Sequence, residues 1–379
     1  MIASNRISVD DKSMCSGCGA CQYVCPVNAI SFIDDTEGYR VPNINHSICI
    51  ECGKCKIFCH LQNPVRVNMS KKTKHYAVKI DDERRRHSRS GGAFVAISDY
   101  VLENGGVVFG ATMNEEFKVS HICAVNKKER DMLCGSKYVQ SNMENVFGKI
   151  ANKLECGKRV LFCGTPCQVS AIAKVFSPEK YSNLLLMDFV CHGVPSPGLW
   201  SDYIKWVQQH YKKNLIDIDF RDKEKYPWES HVQRLEFEHK TVWSKRFTNL
   251  FTSNLCLLES CYKCPYARME RVSDFTLGDY WGIDNIDNNF NDGKGISLLI
   301  TRSSKASEIF EMIKGSIRYI DTTEHKLEHY NLQHPTNRPD GKDIFWKEYH
   351  QNGFEFVSNK YGRYDIVHRI KYKIIDHMV

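Results

Sequence analysis

Cysteine is the residue whose spacing speaks first in this chain. Seventeen occur in 379 residues, and the first sixty positions hold two copies of one run: Cys15, Cys18, Cys21 and Cys25, then Cys49, Cys52, Cys55 and Cys59. Three thiolates at intervals of three wrap a cuboidal iron–sulfur cluster, whose chemistry is the transfer of one electron at a time. Structural zinc sites instead offer CxxC pairs separated by a long gap. A disulfide framework belongs to short secreted chains, and Met1 to Asp10 shows no basic start, apolar stretch or cleavage site.

The doubled run resembles the bacterial two-cluster ferredoxin. That resemblance implies crossed ligation, in which three thiolates of one run hold a 4Fe-4S cluster and the fourth crosses to the other. Cys15, Cys18, Cys21 and Cys59 would hold one cluster, and Cys49, Cys52, Cys55 and Cys25 the second. Pro26 follows the first run, and His60 takes the equivalent place after the second.

A chain of this length can hold two or three domains, and 42% apolar residues with 11% aromatics supply a sizeable core. No apolar stretch reaches the roughly 20 residues that cross a bilayer, so a cytoplasmic protein without a membrane span is expected. The formal charge is +7. Eight cluster thiolates add about −8 and two oxidised cores about +4, and a third cluster would leave the protein near +1. Nucleic acid is therefore not an expected partner.

The expected fold class is α+β: a bacterial ferredoxin-like module over residues 1–64, an α/β flavin-binding domain with a mixed sheet, and an α+β C-terminal part. The division is 75–155 and 156–330 for the body and 331–379 for a basic tail. Asn63 to Lys74, polar and basic with a proline, reads as a linker. Strand-like runs at His75 to Ile80, Val107 to Met113, Val119 to Val125, Arg159 to Cys163 and Leu184 to Val190 alternate with helical patterns. Those helices are expected at Ala93 to Leu102, Met143 to Leu154, Pro166 to Lys174 and Pro197 to Gln209. Beyond Asn214 shorter alternating runs take over, with a helix near Lys305 to Lys314.

Cys167 follows a strand in the turn CysGlyThrProCys, and Cys191 follows another in CysHisGly. Both stand at carboxyl ends of strands, the edge where an open α/β sheet collects ligands. Cys261 and Cys264 form a further CxxC. Spacing alone leaves two readings open. Either these four ligate a third cluster, with Cys163 or Cys256 as a substitute, or they are buried small apolar residues. Cys123, Cys134 and Cys156 read as core.

SerGlyGlyAlaPhe from Ser90 opens a helix after Arg84, Arg85, Arg86, His87 and Arg89. A glycine turn there offers free N–H groups to a pyrophosphate, with guanidiniums nearby to balance it, although such a pair is often only a turn. Gly135 to Tyr138 and Leu277 to Gly282 are further glycine and aromatic turns of the kind that line a ring system. No GxGxxG follows a strand, and no Walker A sequence is present.

Together, CysGlyThrProCysGln at 163–168, CysHisGlyValProSerPro at 191–197, CysTyrLysCysProTyrAla at 261–267 and AspPheThrLeuGlyAspTyrTrpGly at 274–282 resemble the coenzyme F420 hydrogenase/dehydrogenase beta subunit family. The resemblance runs from about residue 75 to about residue 330. It implies FAD beside an iron–sulfur centre and electron exchange with a substrate such as a deazaflavin. Similar domains occur in a chlorophyll-cycle hydroxymethyl reductase and in bacterial proteins associated with surface polysaccharide synthesis. Carried over by matching positions, it implies Ser90, Gly91, Gly92, Lys137, Tyr138, Gly164, Thr165, Gln168 and Asp279 for the flavin. It also implies Cys167, Cys191, Cys261 and Cys264 for a third 4Fe-4S cluster. His192, beside Cys191, is a candidate proton donor, or equally a backbone hydrogen-bonding residue.

The function these residues suggest is an FAD-dependent iron–sulfur oxidoreductase. A reduced ferredoxin or similar carrier feeds the clusters, and flavin converts single electrons into the pair that a small organic substrate takes. The reverse direction is equally allowed. The rival is an electron-transfer subunit of a larger complex without a substrate of its own.

Overall fold

Left-handed glycines shape the N-terminal module. The computed structural model describes residues 14–65, 67, 73–86 and 88–363. In it Gly19 (φ 82°) precedes helix α1 (Ala20–Tyr23), and Gly53 (φ 72°) precedes α2 (Lys54–Ile57). Only glycine takes such angles without steric cost, so the same slot of both cysteine runs folds back around its thiols. Strands β1 (Ile30–Asp34) and β2 (Arg40–Ile44) pair antiparallel between the runs.

The body follows as β3 (Lys74–Lys79), α3 (Asp82–Arg86), α4 (Ala93–Glu103), β4 (Val107–Met113), β5 (Val119–Ala124), α5 (Lys127–Asp131), α6 (Val146–Glu155), β6 (Val160–Gly164), α7 (Pro166–Val175), β7 (Leu184–Phe189) and α8 (Pro197–Tyr211). After these come β8 (Leu215–Asp219), β9 (Gln233–Phe237), β10 (Lys240–Ser244), α9 (Arg246–Thr252), β11 (Phe275–Asp279), β12 (Ser297–Thr301), α10 (Ser304–Ile313), β13 (Arg318–Asp321) and α11 (Lys342–Tyr361).

Eight of the strands form one mixed sheet in the order β13-β3-β12-β11-β7-β6-β4-β5. The run β4, β6, β7, β11 is parallel, and the flanking pairs are antiparallel. Strands β7 and β12 are near-continuous apolar runs because both faces are covered. By contrast β9, in the separate sheet β10-β9-β8, alternates buried and half-buried residues. Strands from residues 74–124 and from 160–321 share the large sheet, so the expected division at 155/156 runs through one structural unit.

The helical starts follow from the sequence. Thr165 and Gln168 make a capping box with Pro166 in the first turn of α7, and Ser196 caps α8, which also begins with proline. These caps fix where the strand-to-helix turns carrying Cys167 and Cys191 point. Helix α6 starts at Val146 rather than Met143. Of the segment expected as a basic tail, α11 buries Phe345, Trp346, Phe354 and Val357 against Tyr203 of α8 and Phe247 of α9, in an aromatic core with Trp200 and Phe220. Residues 364–379 and half of the expected linker, 66 and 68–72, lie outside the described residues. Among the described residues no helix is long and apolar enough to cross a membrane.

Gly91 explains itself by packing. A Cβ there would lie 2.0 Å from the Val78 carbonyl oxygen and 2.5 Å from the Ser297 amide nitrogen, so β3 and β12 close directly on its backbone. Gly148, inside α6, has open space around it. Gly91→Ala is expected to destabilise by about 1–3 kcal/mol, whereas Gly148→Ala should stabilise by about 0.5–1 kcal/mol. Chemical denaturation of the two variants beside the parent checks both signs.

Candidate functional site

The module divides its eight thiols into two groups. Cys25 lines a small cavity together with Cys49, Cys52 and Cys55. Cys15, Cys18 and Cys21 instead share their surroundings with Cys59: burial, then the charges of Cys59 and Asp35, pushes Cys15 up to about 11, and burial, then the charges of Cys15 and Cys59, pushes Cys18 up to about 12. Cys21 is raised further for the same reasons. Buried thiols crowded in this way cannot ionise together without a cation among them, and bound iron is such a cation. Backbone amides already point at the sulfurs, from Gly17 to Cys15 (3.4 Å) and from Ala29 to Cys25 (3.2 Å).

His60 lies between this module and the body. Its ring is fully buried, with Nε2 3.0 Å from the Ser16 hydroxyl and Nδ1 2.6 Å from the Tyr266 hydroxyl. Burial pushes its imidazole down to about 3, so the ring is neutral. The module is fastened further by Tyr39, whose hydroxyl donates to the Cys256 carbonyl at 2.6 Å, and by Gln140, whose amide donates to the Ser16 carbonyl at 3.2 Å.

A cavity of about 560 Å³ opens at the carboxyl ends of the parallel strands, within the usual range for cofactor sites. Cys167 from the α7 turn, Cys191 beyond β7, and Cys261 and Cys264 from the single turn 259–264 all reach its wall. Burial, then the charge of Cys264, pushes Cys167 up to about 12. Cys191 and Cys261 are raised by burial and by the other members of the set. Cys163 also lines the cavity, but its charged neighbours are Asp188, Lys137 and Cys134, and Cys256 is sealed in the aromatic core. The structure therefore brings together Cys167, Cys191, Cys261 and Cys264 and leaves both substitutes apart.

Ser90, Gly92, Lys137, Tyr138, Gly164, Thr165, Gln168 and Asp279 line the same cavity, and Gly91 does not. Gly92 (φ 90°) is the N-cap of α4, so the free amides of that helix start at the cavity wall. Gln168 donates to the Ser141 hydroxyl (2.9 Å), which bonds His121 Nδ1 (2.8 Å). His192 Nε2 lies 2.6 Å from Asn254 Oδ1, and its ring packs on Phe251.

Three readings of individual residues change. Arg84 and Arg85 are taken by Asp81, Asp99, Asp82 and Asp292, and Arg86 is exposed, because α3 presents them to acids outside the cavity. His87 lies outside the described residues. Of that basic cluster Arg89 reaches the site, donating to the carbonyls of Arg221 (2.5 Å) and Trp228 (2.7 Å) while its buried Nε has no partner among the described residues. Cys156 is exposed at the end of α6, past the last buried leucine, so it is not core, and Cys134 packs against the core while also reaching the cavity wall.

Sequence spacing missed Arg221, His231 and His121, which arrive from distant segments, whereas Trp281 belongs to the aromatic turn 277–282 that the sequence singles out. Arg221 pairs with Asp279 at 2.7 Å and approaches the Tyr138 hydroxyl. Burial, then Arg221 and Arg89, pushes His231 down to about 4, and burial with Arg89 and Arg85 pushes Lys223 down to about 8. Asp279 answers only part of this positive charge, so the region favours an anion. The Trp228–Trp281 stack, with centroids 5.0 Å apart, stands beside it.

Residues 157–325 match the family model for the C terminus of the beta subunit of coenzyme F420 hydrogenase/dehydrogenase, and residues 14–63 match a 4Fe-4S dicluster domain. Residues 157–325 thus carry the C-terminal beta-subunit domain of that family, and residues 14–63 a 4Fe-4S dicluster domain. A subunit of the F420H2 dehydrogenase of Methanosarcina mazei is 23% identical over 221 residues, covering 55% of this chain and 62% of that protein. The coenzyme F420-dependent sulfite reductase of Methanocaldococcus jannaschii is 25% identical over 169 residues, covering 44% of this chain and 26% of that protein. The chain thus spans less than two thirds of either relative. A chain of the F420-reducing NiFe hydrogenase complex from Methanosarcina barkeri superposes with TM-score 0.45 at 14% identity, covering 76% of this chain and 90% of that one.

Lys137 gives the body of the protein a pH signature. Its amine donates to the carbonyls of Met132 (3.1 Å) and Cys134 (2.7 Å), and burial pushes it down to about 8 from 10.5. Between these values the unfolded chain holds a proton that the folded one has released, so Lys137 makes stability rise with pH there and adds no slope below about 8. Relative to Lys137→Met, the parent should gain stability from pH 8 to 10 and hold a constant difference from pH 6 to 7. Denaturation midpoints across that range check it, and a difference that is constant throughout contradicts the burial.

Proposed function

We propose that this chain is an FAD-dependent iron–sulfur oxidoreductase in which the dicluster module relays single electrons to a third 4Fe-4S cluster on Cys167, Cys191, Cys261 and Cys264, next to a flavin in the same cavity. One observation carries the reading: a single cavity is lined at once by four half-buried thiols, by the N-terminus of α4 and by Arg89 and Arg221. The thiols suit iron, and the unpartnered Arg89 Nε with the α4 amides suits a phosphate group. FAD, when bound, supplies the exchange between one-electron and two-electron transfer.

This chain's residues do the rest. Arg89, Arg221 and the α4 amides hold the negative groups. Gln168, Ser141 and His121 keep one wall in a fixed hydrogen-bonded arrangement, and Tyr138, stacked on Phe251 with centroids 4.7 Å apart, offers a flat aromatic face. His192, held by Asn254, is placed to hand a proton to a group bound beside Cys191. The substrate class carried by the names of the relatives is a deazaflavin, and an anionic one suits the positive region around Arg221. The surface-polysaccharide setting has no residue here that speaks for it.

A second reading is supported by one relative's being named as part of a larger dehydrogenase and by the module's surface. Ile48, Ile50 and Ile57 are exposed there, as is Cys52. On that reading the chain passes electrons within a larger complex, and stable co-purification with a partner would favour it.

Anaerobic purification followed by iron, acid-labile sulfide and flavin quantification should give about twelve iron and one FAD per chain. Cys18→Ala should lose about four iron and keep FAD, and Cys264→Ala should fall to about eight iron. About eight iron without flavin in the parent protein would defeat the reading.

A further inference from the structure

His60 breaks the symmetry of the two cysteine runs, and its place in the fold gives that break a use. It follows Cys59 directly, while Tyr266 lies two residues beyond Cys264. The Tyr266 hydroxyl meets His60 Nδ1 at 2.6 Å and the His60 carbonyl at 3.1 Å, and the two rings lie 5.6 Å apart at their centroids. Both side chains are buried. Tyr266 also lies within the electrostatic reach of Cys167, Cys264 and Cys18, thiols from both sides of the junction. A proline at position 60 would have neither ring nitrogen, and this side-chain hydrogen bond between the two cysteine sets would be lost.

We propose that the His60–Tyr266 hydrogen bond is the electron bridge between the module's thiol set, Cys15, Cys18, Cys21 and Cys59, and the cavity set, Cys167, Cys191, Cys261 and Cys264. The inference rests on reading both sets as cluster ligands. One electron leaves the first cluster, which is oxidised by one, and reaches the second, which is reduced by one. No proton has to cross, because His60 Nε2 is held by Ser16 and Nδ1 by Tyr266. A short path of one side-chain pair, closed by a hydrogen bond, replaces a gap across non-bonded packing. A parallel contact exists, since the Ser260 hydroxyl donates to the Cys15 carbonyl at 2.9 Å, and it serves as the comparison.

The test uses the full chain purified anaerobically, with dithionite as the one-electron reductant. Variants Tyr266→Phe, His60→Pro, His60→Gln and Ser260→Ala are first assayed for iron and flavin. Two readouts follow: spin coupling between reduced clusters by electron paramagnetic resonance, and the rate at which electrons entering through the module bleach the flavin. With iron unchanged, Tyr266→Phe and His60→Pro should slow flavin reduction roughly tenfold or more and weaken the coupling. His60→Gln, which keeps a side-chain donor, should recover part of the rate, and Ser260→Ala should leave it near the parent value. A parent-like rate and coupling in Tyr266→Phe with full iron overturns the bridge, as does a larger loss in Ser260→Ala. If Tyr266→Phe loses iron, the comparison of His60→Pro with His60→Gln decides, and equal rates overturn the proposal. A parent protein with about eight iron defeats the three-cluster reading itself, which the iron count separates from failure of the bridge.

Discussion

The constraint on which the rest of this structure depends is that thiols are crowded together, most of them partly withdrawn from water. Burial raises Cys18, Cys167 and Cys261, and the charges of neighbouring thiols raise them further. Such a group is stable as neutral thiols or as thiolates around positive charge, and the intermediate condition is the expensive one. The fold is arranged around that choice. Left-handed glycines turn the module's chain back on its sulfurs, and the caps of α7 and α8 hold the loops that bear Cys167 and Cys191. The sheet supplies the edge at which those loops meet Cys261 and Cys264.

The same cavity separates its electrostatics by region. The thiol wall would gather negative charge if metallated, whereas Arg89 and Arg221 bring positive charge to the cavity, answered by Asp279 and Asp219. A bound molecule with an extended, partly anionic body is oriented by that difference alone. The His121–Ser141–Gln168 chain in the cavity wall carries hydrogen bonds without net charge, since burial pushes His121 down to about 4. It therefore fixes geometry without cancelling either field.

Much of this was legible in the sequence because it is local. The period of the cysteine runs, the strand-then-cysteine turns at 163–168 and 191–197, and the prolines at the starts of α7 and α8 each act within a few residues, where spacing and geometry are tied. What was not legible depends on distance along the chain. Arg221 and His231 join Asp279 and Arg89 through the fold, and no period announces them. The arginines at 84 and 85 looked like a phosphate cradle until their acidic partners at 99 and 292 were placed beside them. Gly91 looked like part of a ligand loop, whereas its missing side chain lets β3 and β12 close. Cys156 misled for a simpler reason, since a cysteine at the end of an amphipathic helix is apolar in type but exposed by its phase.

The docking of the module has a consequence for how charge moves. Besides His60, the module is tied to the body by Tyr39 on the Cys256 carbonyl, by the Ser196 hydroxyl on the Glu37 carbonyl, and by Gly38 and Gly198, whose backbones touch where no side chain would fit. Buried Lys342 adds an ion pair to Glu259 and reaches Glu37. A carrier domain held at so many points has no arc through which to swing. Electron delivery in this architecture is then a property of fixed distances, and solvent viscosity, which slows tethered shuttles, has nothing here to act upon.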